Sequence, residues 1–300
     1  MSRKEYKGIK NLPTGRASDN ITEGCMVLEG GGWRGIYTVG VLDALMERDI
    51  NLSATVGISA GGLCGLGYTT GQIGWGVRID LLYRHDPNYC GRKAFKNEHG
   101  ITGFRYLYKD IMEKEPLDKK KLKETNRRLV VGATDMYSGR TRYFEKGKCN
   151  LSAAVCASAS VPYASRPIVI DGVPYLDGGC STKVPYYWAK ENGYDKIVVV
   201  KTRERGYWRK EKKSRLARAI YRKYPNFIKS IETAPKKWND LMKHLYREEE
   251  KGNVFIIAPS EKVNVKRFEG NVDKLAHLYW LGYKDGHENA EKLKKYLGID

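Results

Sequence analysis

Cys25-Met26-Val27-Leu28 leads through Glu29 into Gly30-Gly31-Gly32-Trp33-Arg34-Gly35, and further on Ala54-Thr55-Val56-Gly57-Ile58 leads into Ser59-Ala60-Gly61. Each is a short apolar run that ends in a turn and is followed by a helical pattern. Ile36, Val39, Leu42, Leu45 and Met46 form the first pattern, and Ala60 to Tyr68 begins the second. Short apolar runs bounded by turn residues fit buried strands, while apolar residues three and four apart fit a helix face. Two successive strand–turn–helix units predict a parallel sheet, because parallel neighbours need a long crossover between them.

Outward from this pair, strands are expected at 128–134, 141–144, 196–200 and 254–257, and a hairpin turning at Asp171-Gly172 joins 168–170 to 173–176. Ser152 to Ser160 reads as a helix that stops before Pro162, since the residue ahead of proline is pushed out of helical dihedrals. Residues 78–127 are charged and broken by Pro87, Gly91, Gly100 and Gly103, so helices and loops covering the sheet are expected there. Between the last two strands, 201–251 carries 17 Lys or Arg against 7 Asp or Glu. Trp238, Leu241, Met242, Leu245 and Tyr246 give this insertion an apolar stripe at helical spacing, and Leu216, Ala219 and Ile220 begin another. The final stretch, from Val272 to Leu297, reads as one long helix or a pair. The expected organisation is an N-terminal lead at 1–22, a catalytic core at 23–200, a basic helical insertion at 201–251, and a final strand with C-terminal helices at 252–300.

Three hundred residues with 41% hydrophobic content, 21 Tyr and 6 Trp supply enough apolar matter for a sizeable core, which excludes wholesale disorder and a miniature disulfide scaffold. The net charge of +19 predicts attraction to anionic surfaces. No apolar run follows the first charged residues, so no secretory signal is read and a cytoplasmic address is expected, with peripheral membrane attachment as its variant. The six cysteines form no C-x-x-C pair and are expected reduced and mostly buried. Ile50 to Val77 lacks any charged residue and is long enough to span a bilayer, yet its eight glycines favour a buried segment.

Gly57-Ile58-Ser59-Ala60-Gly61 is a G-x-S-x-G sequence that sets a serine on a tight strand-to-helix turn, with its hydroxyl projecting as a nucleophile. The Gly30–Gly35 loop, between a strand and a helix, offers bare backbone N–H groups to an anion. Gly30, Gly32 and Gly35 also have dinucleotide-binding spacing, but the second strand ends in Ile58-Ser59 without the acid that would hold a ribose. No Walker lysine follows, so a phosphate-binding loop is disfavoured as well. The remaining use is an oxyanion hole built from the amides of Gly31 and Gly32. Two bases are open to Ser59. One is a late histidine, His244, His277 or His287, in a Ser–Asp–His order, and the other is Asp177 itself, fixed by Asp177-Gly178-Gly179 at the end of a strand.

The glycine loop with Arg34, the elbow at Ser59 and the Asp177-Gly178-Gly179 triplet together resemble the patatin-like phospholipases, acyl hydrolases that use a Ser–Asp dyad. The Ala157-Ser158-Ala159-Ser160-Val161-Pro162 block resembles the family more loosely. The resemblance implies a three-layer α/β/α fold with a central, mostly parallel sheet. It implies Ser59 as nucleophile, Asp177 as direct base, and Gly30, Gly31, Gly32 and Gly35 as the oxyanion loop, with Arg34 orienting that loop or a nearby anion. Gly57 and Gly61 would shape the elbow, and Gly178 and Gly179 the aspartate turn. It implies a lipid or acyl-ester substrate and no metal or organic cofactor.

The insertion's cations and aromatic side chains fit peripheral contact with an anionic membrane surface. The cations from Lys212 to Lys223 can equally track a phosphate backbone, although no recognition motif accompanies them, and nucleic acid is disfavoured. The rival to hydrolysis is a catalytically idle protein that binds membrane or nucleic acid through this face.

Overall fold

The computed structural model describes residues 6–211 and 213–299; residues 1–5 of the expected lead, Lys212 of the insertion and Asp300 lie outside the described residues. In chain order the strands of the main sheet are β1 (Thr22–Leu28), β2 (Leu52–Ile58), β3 (Arg128–Asp135), β4 (Thr141–Glu145), β5 (Ile168–Ile170), β6 (Val173–Asp177), β7 (Ile197–Val200) and β8 (Phe255–Ile257). Across the sheet they stand β8-β7-β1-β2-β3-β6-β5, with β4 paired to β3. The run from β8 to β3 is parallel, and β4, β5 and β6 pair antiparallel. The helices that frame the site and its cover are α1 (Gly35–Glu47), α2 (Ala60–Thr70), α3 (Trp75–Leu82), α4 (Leu151–Ala159), α5 (Arg215–Ile220), α6 (Pro225–Glu250) and α7 (Val272–Leu297).

Side chains alternate across a strand, so one strand feeds two layers. Met26 and Leu28 of β1 pack with α1 and α7, whereas Cys25 and Val27 pack with Trp238, Leu241, Met242 and Leu245 of α6. This gives the three-layer α/β/α arrangement around a mostly parallel sheet. Helix α1 is buried all round, only Glu47 among its residues escaping, because α7 covers the side that the sheet does not. The α1–α7 contact carries two buried pairs, Tyr37 Oη donating to Asp285 at 2.8 Å and Tyr279 Oη donating to Asp43 at 2.9 Å. The C-terminal stretch is therefore one long helix.

Several expectations are corrected. Leu216, Ala219 and Ile220 do not form a packed stripe: Leu216 and Ile220 are 56% and 52% exposed, and Ala219 is exposed too. Helix α5 is short, and it turns Ala217 and the following Tyr221 inward against Met136, Leu176, Cys180 and Phe227 instead. Of the free cysteines, only Cys25 and Cys180 are buried, and the other four are half-buried. The uncharged segment Ile50–Val77 folds into β2, α2 and the start of α3, inside the globule. No helix among the described residues is long and apolar enough to cross a membrane.

Candidate active site

Strand β2 delivers Ser59 to the N-terminus of α2 with φ +55° and ψ −122°. A non-glycine residue in that region is strained and persists only where its surroundings over-determine it. Here the Ser59 N–H donates to Ser158 Oγ at 2.8 Å, and Ser158 Oγ donates to the Gly132 carbonyl at 2.7 Å, so α4 and β3 clamp the turn. A Cβ on Gly61 would stand 2.5 Å from the Leu28 carbonyl oxygen, so only glycine lets α2 start this close to β1. Gly57 meets the backbone of Gly61 in the same way.

Asp177 ends β6, which pairs antiparallel with β3 and sets Asp177 opposite Ala133. Both carboxylate oxygens are occupied: Oδ1 accepts from the Gly179 N–H at 2.7 Å, and Oδ2 accepts from Ser59 Oγ at 2.9 Å. Its backbone is tied by Asp177 N–H to the Ser160 carbonyl, and by Thr134 Oγ1 donating to the Asp177 carbonyl. Ser59 and Asp177 are 5% and 9% exposed, so this bond forms largely away from water, where it is electrostatically strongest.

The late histidines stand elsewhere. His244 lies against the rings of Tyr186 and Tyr187, His277 faces Glu261, and His287 faces Glu47 and Tyr283. Among the described residues no histidine bonds Ser59 or Asp177, so a Ser–His–Asp arrangement is not assembled.

The glycine loop borders the elbow, a Cβ on Gly30 falling 3.3 Å from Ser59 Cβ and one on Gly35 falling 2.7 Å from Ala60 Cβ. Gly30 N–H donates to the Lys183 carbonyl and Trp33 N–H to the Arg267 carbonyl, while the amides of Gly31 and Gly32 have no acceptor among the described residues. Gly32 has φ +59°, and a Cβ there would meet the Arg267 carbonyl at 2.7 Å. Arg34 is buried, and its Nε finds no partner among the described residues. Burial, then the cations of Arg203 and Arg267, push its pKa down to about 10.

Glu29, immediately before the loop, is fully buried and accepts from Thr202 N–H at 2.7 Å, Thr202 Oγ1 at 3.1 Å, Trp238 Nε1 at 2.7 Å and Arg209 at 3.3 Å. Burial opposes its charge, yet Arg209, the Thr202 amide, Lys201 and Trp238 together hold its carboxyl below the usual range. A Cβ on Gly179 would lie 3.1 Å from Lys183 Nζ and 2.9 Å from Asp177 Oδ1, so the Lys183 side chain stands beside the carboxylate. Burial, Arg209 and Arg267 push Lys183 down to about 8. Sequence reasoning singled out neither Glu29 nor Lys183, and met Ser158 only inside the alanine-serine block. Their roles arise from tertiary approach, which no local motif announces.

From Ser59 a pocket opens between α1, α2 and α3, enclosing about 1010 Å³ of empty space, part of it open to solvent. Its wall is mostly apolar, with Trp33, Leu42, Leu63, Trp75, Ile79 and Phe104 prominent, and Asp43 and Asp80 interrupt it. A buried serine lining a mostly apolar pocket, beside two loop amides that find no acceptor among the described residues, can take an acyl group and attack its carbonyl. No group of three or more His, Cys, Asp or Glu among the described residues is arranged to hold a metal ion.

A family model described as patatin-like phospholipase matches residues 26–189, and a second, described as a domain of unknown function (DUF6363), matches residues 224–298. The second span takes in α6, β8 and α7. The chain is 25% identical over 271 residues to protein YjjU of Escherichia coli (strain K12), covering 86% of this chain and 74% of that one. It is 25% identical over 181 residues to the probable lipid hydrolase 463L of Invertebrate iridescent virus 6, covering 53% of this chain and 61% of that one. Against the crystal structure of VipD from Legionella pneumophila the TM-score is 0.47 at 13% identity, covering 96% of this chain and 69% of that one.

Proposed function

Since the chain belongs to the patatin-like phospholipase family, we propose that it is a lipid acyl hydrolase whose chemistry runs through Ser59 and Asp177 alone. The observation that carries this reading is the 2.9 Å bond from Ser59 Oγ to Asp177 Oδ2, made with the other carboxylate oxygen already fixed. Asp177 takes the Ser59 proton as Oγ attacks the ester carbonyl, and the amides of Gly31 and Gly32 receive the developing oxyanion. The proton passes to the leaving alcohol, which leaves an acyl group on Ser59. Asp177 then draws a proton from water, the hydroxide attacks, and the acid departs with Oγ reprotonated. The relative named as a probable lipid hydrolase supports the same class of reaction.

Labelling by a fluorophosphonate probe checks the nucleophile and is expected to vanish in Ser59→Ala. Ester hydrolysis is expected to fall by about 10²–10⁴ in Asp177→Asn and to persist in His244→Ala, His277→Ala and His287→Ala. An active Asp177→Asn beside a dead histidine variant overturns the dyad. A panel of phospholipids, lysophospholipids, glycerides and simple esters then ranks the substrates.

The partner we propose is an anionic bilayer face, met by α5 and its flanks. Leu216 and Ile220 present an exposed apolar ridge one helical turn apart, and Lys213, Arg215, Arg222 and Lys223 stand exposed around it. Apolar side chains ringed by unburied cations complement the acyl boundary and the headgroups of such a surface. Tyr221, whose Oη accepts from the Tyr163 N–H, ties α5 to the segment after Val161 at the pocket wall, so docking would bring the pocket to the lipid.

A further inference from the structure

Asp80 is the anomaly of the pocket. It lines the same cavity as Ser59, yet among the described residues its carboxyl accepts and donates no hydrogen bond and forms no ion pair. Asp43, the other carboxyl in this wall, is accounted for, since it accepts from Tyr279 Oη and from the Gly74 amide. Arg84, one turn beyond Asp80 on the chain, is engaged elsewhere. Its guanidinium lies 4.6 Å above the Trp33 ring, and its Nε donates to the Glu269 carbonyl. The Asp80 carboxyl is half-buried, so its hydrogen-bonding capacity is left to whatever fills the cavity, and a polar group set in an otherwise apolar wall orients a ligand.

Resting on the reading of Ser59 as nucleophile, we propose that Asp80 determines acyl specificity by hydrogen-bonding a hydroxyl carried partway along the acyl chain, so that hydroxylated acyl esters are the preferred substrates. Asp80 stands on α3 and Ser59 at the start of α2, so the carboxyl meets the cavity from a different helix than the one that carries the nucleophile. A neutral hydroxyl fits better than an ammonium, because the wall around it is apolar and Arg84 already brings a positive charge. Burial raises Asp80 to about 7, so acid and carboxylate are both present near neutrality, and either form accepts from a hydroxyl.

The test uses methyl dodecanoate and the series of its monohydroxy derivatives, with binding measured calorimetrically on full-length Ser59→Ala. One mid-chain isomer is expected to bind about tenfold tighter than the parent ester, a preference retained in Ser59→Ala/Asp80→Asn and lost in Ser59→Ala/Asp80→Ala. Equal binding of all isomers and the parent overturns the proposal, as does a preference that survives Asp80→Ala. Melting temperature gives a second readout: Asp80→Ala is expected to melt no lower than the unsubstituted protein, and a fall of several degrees would assign Asp80 to packing and overturn the proposal. If Ser59→Ala hydrolyses the esters, the nucleophile assignment fails while the hydroxyl preference is still read, from the rates.

Discussion

At Ser59 the backbone occupies a region that disfavours side chains, and its neighbours decide whether it stays there. Ser158 is the principal restraint, since one hydroxyl satisfies both the Ser59 N–H and the Gly132 carbonyl in a buried place. Ser158→Ala leaves both groups unpaired, which is expected to lower unfolding free energy by about 1–3 kcal/mol in urea titrations. It is also expected to lower kcat more than KM, because the elbow relaxes while the pocket wall stays intact. Full kcat at lowered stability would show that the clamp serves folding alone. Ser59, Asp177 and the glycines of all three motifs were legible in the sequence, because each motif is local and its geometry is imposed by adjacent residues. Ser158 was weakly legible and Asp80 not at all, since nothing local distinguishes a carboxyl facing a cavity from one facing water.

At the scale of elements, the basic insertion does more than cover the sheet. Trp238 of α6 and Arg209, in the loop between β7 and α5, converge on Glu29, the residue that precedes the glycine loop, so the insertion fixes the cradle from behind. Lys201 belongs to the same knot, its ammonium 4.9 Å from the Tyr246 ring centroid and pushed down to about 8 by burial. Because the Glu29 carboxyl is held below its ordinary value, its contribution to stability is complete above about pH 4.3 and is lost as pH falls through the folded value. Acid unfolding of the unsubstituted protein is therefore expected to steepen below about pH 4, and less steeply so in Glu29→Gln. The same variant is expected to lose several-fold in ester hydrolysis at neutral pH. An unchanged acid limb would show that Glu29 titrates alike folded and unfolded. The charge excess of 201–251 was visible in sequence, but its division between buried knot and exposed face was not. Leu216 and Ile220 have the spacing of a packed stripe, yet six residues of helix are too short to bury two faces. The inward side went to Ala217.

For the whole molecule, the net charge of +19 acts beyond any single contact and favours approach to anionic surfaces. Flotation with anionic vesicles is expected to recover the protein at low salt, recover less at high salt, and recover little with neutral vesicles. Leu216→Asp combined with Ile220→Asp is expected to weaken vesicle binding about tenfold while leaving hydrolysis of a soluble ester unchanged. Equal binding to neutral vesicles, or tighter binding to duplex DNA than to lipid, would reject the bilayer as partner. The sequence by itself determined the strands, the turns and the chemistry each turn can present, because apolar period and glycine placement act over a few residues. Only the tertiary structure decided that Asp177 and no histidine reaches Ser59, which loop amides stay free, and what lines the pocket. Those outcomes depend on how β6, α4 and α6 pack across the sheet, and contacts between residues so far apart in the chain leave no periodic trace in it.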